Sequence, residues 1–534
     1  MILRLNKILD FFIYLFSLLI VFLVPLFFPY FFITNNLFEL TKFILFKILV
    51  LLWILVFFVK LVIDNNFRNQ KLQILKKIYF RNKLEIIIFS LFVLSLILSS
   101  ILALYKNLSV YGLYDRQFGL VFYFYCLLFF GLFVLSVKSN YVYLYVKAIL
   151  VSSFFVCFYA LAQISGYDFM NWSEKWGTLR RATSTLGQPN FLASYLLLVI
   201  PITIYFIYTS KKLLLKFFSL IVFIFQLLTL YLTYSRGGWL GLVLGFLVFG
   251  VIYLSLRAQY LCTRAGRGGS ENSAVIASFW VFAKQKYKNV AITRTTDICG
   301  SLSNRRLSSS GSPRSLALAR DDNSCVIARS ENEQSEFERR GNPENNECLL
   351  YNMHCSLRLV FVILIIFVLI IFSLYNSQTF SHRLTSLLDF QSGSVAVRMS
   401  FWRASWDAIR QKPLFGYGLD NQGEVLIKYY QKDWGIFNNV NSCPNRVHNL
   451  FLDILLTRGI FGLFAYLALL YLFFSTIFKN IKENKARELS LAISAATICY
   501  LVSLQFSFSF ITSEIYFWLY FAIAYLSGIR KISY

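Results

Sequence analysis

The stretch LDFFIYLFSLLIVFLVPLFFPYFFIT (residues 9–34) carries one charge, Asp10, and is then uncharged to its end. Crossing the hydrocarbon of a bilayer takes about 20 apolar residues, so this run is long enough to span one. It ends without a small-residue cleavage site, and a second apolar run follows at once. It therefore reads as a retained span, not as a signal peptide.

Runs of the same kind recur near residues 42–63, 85–104, 118–137, 142–163, 190–208, 213–234, 237–256, 358–376, 450–478, 489–510 and 513–529, with the first placed at 10–33. Because lipid offers backbone groups no partner, each is expected to be a helix. The expected fold class is an all-α polytopic membrane protein of about 12 transmembrane helices. Residues 1–256 hold the first eight spans and 358–534 the last four, with a long outward loop at 377–449 containing short interfacial helices. Between them, 257–357 is rich in Ser, Arg, Asn and Glu without periodicity, as expected of a disordered cytoplasmic insertion.

The 534 residues include 57 Phe and 33 Tyr and carry a net charge of +26. The basic residues sit mainly in short clusters between apolar runs: RNQKLQILKKIYFRNK (68–83), Lys211–Lys212, KNIKENKAR (479–487) and Arg530–Lys531. All fall on one side if the N-terminus is cytoplasmic, which is the pattern of orientation signals and argues against nucleic acid as the partner. Both termini are then cytoplasmic, and 105–117, 164–189, Ser235–Arg236 and 377–449 face outward. Nine cysteines lack a CxxC pair, and the long outward loop holds only Cys443, so neither a disulfide framework nor a zinc site is indicated. Cys348, His354 and Cys355 match no common zinc spacing.

Four features gather on the outward side. In RRATSTLGQPNFLASYLLLVIP (180–201), Gly187 and Pro189 make a turn and Asn190 is placed to cap the next span, while Arg180 and Arg181 sit where outward loops should be poor in basic residues. In LTYSRGGWLGL (232–242), Arg236 has almost no loop to hold it. It either snorkels to the membrane boundary or, with Gly237 and Gly238 at a helix N-terminus, forms a phosphate site. In SVAVRMSFWRASWDAIRQKPLFGYGLDNQG (394–423), Val395, Met399, Trp402, Trp406 and Ile409 recur at helical spacing until Pro413, as in a helix lying on a membrane surface. Arg398 on that helix is a solvated charge or a ligand for a lipid-borne phosphate. Gly416 and Gly418 follow in a tight turn. Last, His448 stands at the start of HNLFLDILL, as a helix-end residue or as a proton acceptor whose ring Asn449 orients.

At these residues the chain resembles the O-antigen ligase family of membrane glycosyltransferases, which includes O-antigen polymerases and protein O-oligosaccharyltransferases. The motifs GQPNFLASYLLLVIP, YSRGGWLGL, VRMSFWRASWDAIRQKPLFGYGL and HNLFLDILLTRGIFG occur in family order and cover nearly the whole chain outside 257–357. The resemblance implies a GT-C-like bundle in a bacterial inner membrane, working on its outer face without cofactor or metal. It implies transfer of a glycan from an undecaprenyl-diphosphate carrier to a lipid or protein acceptor. It also implies diphosphate binding by Arg236 and Arg398, with Arg181 a weaker carry-over, and His448 as general base. Gln188 stands where the family frequently has Asn, and Arg458 where it often has an acid. Polymerisation of the glycan is the closest alternative. A solute transporter is the alternative of another class, but charges collected on one face fit it less well than charges at the midplane would.

Overall fold

The computed structural model describes residues 2–29, 38–168, 181–265, 393–430 and 445–529. Among these there are fifteen α-helices and no strand. In chain order they are α1 (Ile2–Leu23), α2 (Glu39–Ile63), α3 (Asn65–Arg81), α4 (Lys83–Ile101), α5 (Lys106–Tyr111), α6 (Leu120–Ser136), α7 (Val142–Ile164), α8 (Pro189–Thr209), α9 (Leu213–Leu232), α10 (Arg236–Ala265), α11 (Gly393–Gln411), α12 (Gln422–Tyr430), α13 (Leu450–Lys482), α14 (Arg487–Ser503) and α15 (Ile511–Ile529). Residues 1–250 and 373–534 form one compact unit. Residues 251–372 form another, of which the described part is the end of α10.

Eight described helices are long and apolar enough to cross a membrane: α1, α2, α4, α7, α8, α9, α10 and α13. The expected spans at 118–137, 489–510 and 513–529 are helical as well, in α6, α14 and α15, but α6 and α14 are only 17 residues long. The expected span at 358–376 and most of the expected insertion lie outside the described residues, while α10 itself continues to Ala265. The first run is shorter than expected, because α1 stops at Leu23. Pro25 follows two residues later, and the residue before a proline is turned away from helical geometry.

Side chains face outward or inward by the logic of a lipid solvent. On α9, Leu214, Phe217, Ile221, Ile224 and Leu228 form an exposed apolar stripe at helical spacing. The opposite face buries Ser219, Gln226 and Thr229. The amide nitrogen of Gln226 donates to Ser153 of α7 and to Thr203 of α8, each at 2.9 Å. Polar side chains thus join helices where apolar burial gains little over lipid. α8 is buried along nearly its whole length and forms the centre of the bundle, packed by α7, α9, α14 and α15.

α13 is broken. Gly459 has φ 67° and ψ −168°, so the helix ends at Arg458 and restarts at Ile460. The freed backbone groups are taken up by the segment after α11. Tyr417 and Gly418 donate their N–H groups to the carbonyls of Leu456 and Thr457, both at 2.9 Å. In return, Ile460 and Phe461 donate to the carbonyls of Pro413 and Leu414 at 2.8 and 3.2 Å. A Cβ on Gly416 would fall 2.5 Å from the backbone of Thr457, and one on Gly459 would fall 2.3 Å from Leu414, so both glycines are needed for this contact. Irregular backbone at such depth is tolerated where protein supplies its partners.

On α11, Ala396, Ser400, Phe401, Ala404, Ser405, Ala408 and Ile409 are buried. Of the expected membrane-surface stripe, Val395, Met399 and Trp402 are half-buried, Ile409 is buried and Trp406 is exposed. Small side chains let α11 approach α12 and α13 closely.

Candidate functional site

The helix ends that meet around α13's N-terminus carry the candidate residues. α10 begins at Arg236, and the Oγ of Ser235 accepts from the N–H of Gly238 at 3.3 Å, capping the helix. The same hydroxyl donates to Oδ1 of Asn190 at 2.9 Å. Asn190 is therefore not the cap expected from the sequence. Gln188 holds the N-cap position of α8, Pro189 takes the first turn, and Asn190 reaches across to α10's N-terminus. Arg181 is fixed at the same place by its Nε, which donates to the Thr233 carbonyl at 2.8 Å. Arg180 lies outside the described residues.

Gly238 is tight, since an added Cβ would lie 2.7 Å from Ala193 of α8. At Gly237 the nearest atom to an added Cβ is 3.5 Å away, so this position keeps α10's first turn open rather than tightly packed.

These elements enclose a pocket of about 410 Å³, within the ~300–1,000 Å³ usual for small-molecule sites. Its lining brings together Arg181, Arg236, Arg398, Asn190 and Gly237, each singled out from the sequence. Hydroxyls of Ser194, Ser503 and Ser507 complete a polar wall, and no aspartate or glutamate is among the described residues that line it. Arg398 has no hydrogen-bond or ion-pair partner among the described residues, and burial together with the charge of Arg236 lowers its pKa from the usual arginine value. Three guanidiniums and a helix N-terminus, with no carboxylate among the described lining residues, are chemically suited to a polyanion.

His448 stands next to this pocket and not in its wall. Its ring stacks on Phe401 at a centroid distance of 6.1 Å and meets the edge of Phe508 at 5.1 Å. Its backbone is left-handed at φ 58°, an uncommon conformation for a residue with a side chain. Nδ1 is buried without a hydrogen-bond partner among the described residues. Burial first, then the charges of Arg398, Arg116 and Arg446, pull its pKa down to about 3, so the imidazole is neutral. Asn449 does not orient the ring as expected. Its Oδ1 accepts from Leu452 N at 3.1 Å as the cap of α13, and its Nδ2 donates to the Gln505 carbonyl at 3.3 Å. Gly416 and Gly418 likewise stand outside the pocket lining and serve the contact with α13's break.

A buried ionic network beside the histidine was not singled out from the sequence. Arg446 pairs with Asp420 at 2.7 Å and with Asp453 at 3.3 Å, and Asp453 also accepts from Gln422 at 2.9 Å. The second oxygen of Asp420 accepts from the N–H of Leu113 at 2.6 Å. Burial works against the charge of Arg446, but the two aspartates outweigh it and raise its pKa. Arg116 lies 4.7 Å from the Phe508 ring centroid, where burial, then Arg446, lower its pKa to about 10. The signals were present: Arg446 is two residues before His448, and Arg116 is a basic residue in a loop expected to face outward, as Arg181 is. Among the described residues, no cluster of His, Cys, Asp or Glu is arranged to hold a metal ion.

Residues 349–467 match the family described as O-antigen ligase. No curated protein matches the chain. The matched segment contains Arg398, Gly416, Gly418, His448 and the break at Gly459, whereas Arg181, Asn190 and Arg236 lie outside it. The family match and the apolar helices support a bacterial membrane glycosyltransferase of the O-antigen ligase or polymerase type.

Proposed function

We propose, with the O-antigen ligase segment at 349–467 as premise, that the chain transfers a glycan from an undecaprenyl-diphosphate carrier to an acceptor hydroxyl of a lipid or protein. The active face is the outer face of the bacterial inner membrane. The observation that carries this reading is the pocket in which Arg181, Arg236 and Arg398 converge beside a neutral His448.

The chemistry follows from that arrangement. The acceptor oxygen attacks the anomeric carbon of the glycan, and its proton passes to the His448 imidazole. The bond from the anomeric carbon to the diphosphate breaks, and its electron pair leaves on the carrier. Negative charge grows on the diphosphate as it departs, where the guanidiniums of Arg236 and Arg398 and the first amides of α10 are placed to offset it. Direct attack from the face opposite the diphosphate inverts the anomeric configuration.

The test separates binding from chemistry. Purified His448→Ala should retain binding of undecaprenyl-diphosphate glycan while glycan transfer falls by at least ~10²-fold, because a base acts on the acceptor and not on the carrier. Near-normal transfer by that variant would leave the imidazole as a helix-end residue and remove the mechanism.

A further inference from the structure

A neutral histidine whose pKa sits near 3 takes up a proton poorly, and its surroundings explain why. Burial is the largest cause, and among the described residues every charged group that adds to it is a guanidinium: Arg398 from α11, Arg116 from the loop between α5 and α6, and Arg446 from its own loop. Asp420 and Asp453 are bound to Arg446, and Arg116 has Asp420, Asp453 and Glu39 among its neighbouring charges. Arg398 alone of the three also lines the anion pocket.

The connection is built into one turn of α11. Arg398 reaches the pocket wall beside Arg236. Three residues later, Phe401 stacks on the His448 ring. At the next position, the Trp402 indole donates to the Val447 carbonyl at 3.1 Å, tying α11 to the residue that precedes the histidine. Residues at i, i+3 and i+4 share a helix face, so the pocket and the base rest on the same rigid surface.

We propose that the pocket and the histidine act in series through residues 398–402: a diphosphate that neutralises Arg398 frees the His448 imidazole to accept the acceptor's proton, so acceptor activation follows donor binding. This rests on the diphosphate reading of the pocket. Its consequence is a guard against idle chemistry. With the pocket empty, the imidazole stays a weak base and a hydroxyl or water beside it is not activated. With the donor bound, the Arg398 charge on the pocket side is cancelled and the basicity of the ring rises, while burial, Arg116 and Arg446 still hold it below the ordinary value.

The test uses full-length protein in nanodiscs with inorganic pyrophosphate as the probe. His354→Gln and His382→Gln leave His448 as the sole histidine of the three in the chain. Its titration is followed by NMR of isotope-labelled histidine, and occupancy of the pocket by phosphorus NMR on the same sample. Bound pyrophosphate should raise the His448 midpoint by about one unit or more. Arg398→Gln should raise the midpoint without pyrophosphate and respond little to its addition, whereas Arg398→Lys should keep the response. Pyrophosphate that binds without moving the titration overturns the coupling and leaves the diphosphate site intact. Pyrophosphate that does not bind overturns the pocket reading and the coupling together.

Discussion

Arg446 and the three arginines of the pocket are treated in opposite ways by this fold. Arg446 is fully buried between Asp420 and Asp453 and lies over the rings of Phe118 and Phe508. Arg181, Arg236 and Arg398 converge on a cavity whose lining contains serine hydroxyls and an asparagine but no acid. A buried charge is tolerated when its own protein neutralises it, as at Arg446. Where the described lining of a cavity offers no acid, the site is suited to a charge that arrives from outside. Arg446 ties its loop to two aspartates of its own chain, and the proposed function assigns the pocket arginines to a ligand.

Substitutions should separate the two groups. The largest effect is expected from Arg446→Ala, which leaves two buried carboxylates without their partner. Breaking a buried pair of this kind costs about 3–5 kcal/mol, so the midpoint of thermal unfolding in detergent should fall steeply and little folded protein should be recovered. Arg398→Ala should behave in the reverse way. Stability should stay within about 0.5 kcal/mol of the parent, while the transfer rate drops ~10²–10³-fold, or roughly 3–4 kcal/mol, and Arg398→Lys should recover only part of it because lysine lacks the forked donor set. If Arg398→Ala unfolds the protein as severely as Arg446→Ala, the contrast fails.

The last contrast concerns pH. The folded pKa of His448, about 3, lies below the ~6.5 of an unfolded chain, so the unfolded state takes up the proton first. The stability contributed by the neutral ring is fully present above about pH 6.5 and is lost as pH falls toward 3. His448→Gln should flatten that part of the stability profile, and an unchanged profile would show that the ring is not held neutral by folding.

Much of the architecture was legible in the sequence because apolar length is a direct consequence of the bilayer. Eleven of the expected spans coincide with described helices, and the boundaries that moved did so for local reasons, such as Pro25 ending α1 early. The pocket was legible too, since Arg181, Arg236 and Arg398 stood out as charges at span boundaries. What the sequence did not reveal depended on pairing across long separations. Asp420 and Arg446 read as ordinary loop residues until the fold brings them within 2.7 Å. The small residues by which α11 packs on α12 and α13 gave no signal in a spacing that weighs tryptophan above alanine. Asn190 and Asn449 were both found at helix starts, yet one serves α10 and the other serves α13's own amides.

The break in α13 has a consequence for the membrane around it. A continuous helix of 33 residues would tilt as one rod when bilayer thickness changes, and the group at its tip would be re-aimed with it. Here the turn at 413–418 holds both sides of the break, through Leu456 and Thr457 before it and Ile460 and Phe461 after it, so a lean of the far end of α13 should be taken up beyond this joint. The histidine should thereby be insulated from lipid thickness, as a compass needle is gimballed against the roll of a ship. Glycan transfer by the parent protein should accordingly vary little between nanodiscs of short-chain and long-chain lipid. A milder loosening of the joint, Tyr417→Pro, which removes one of the N–H donors to α13, should make transfer depend on chain length, and equal sensitivity in both proteins would show that the joint gives no such insulation.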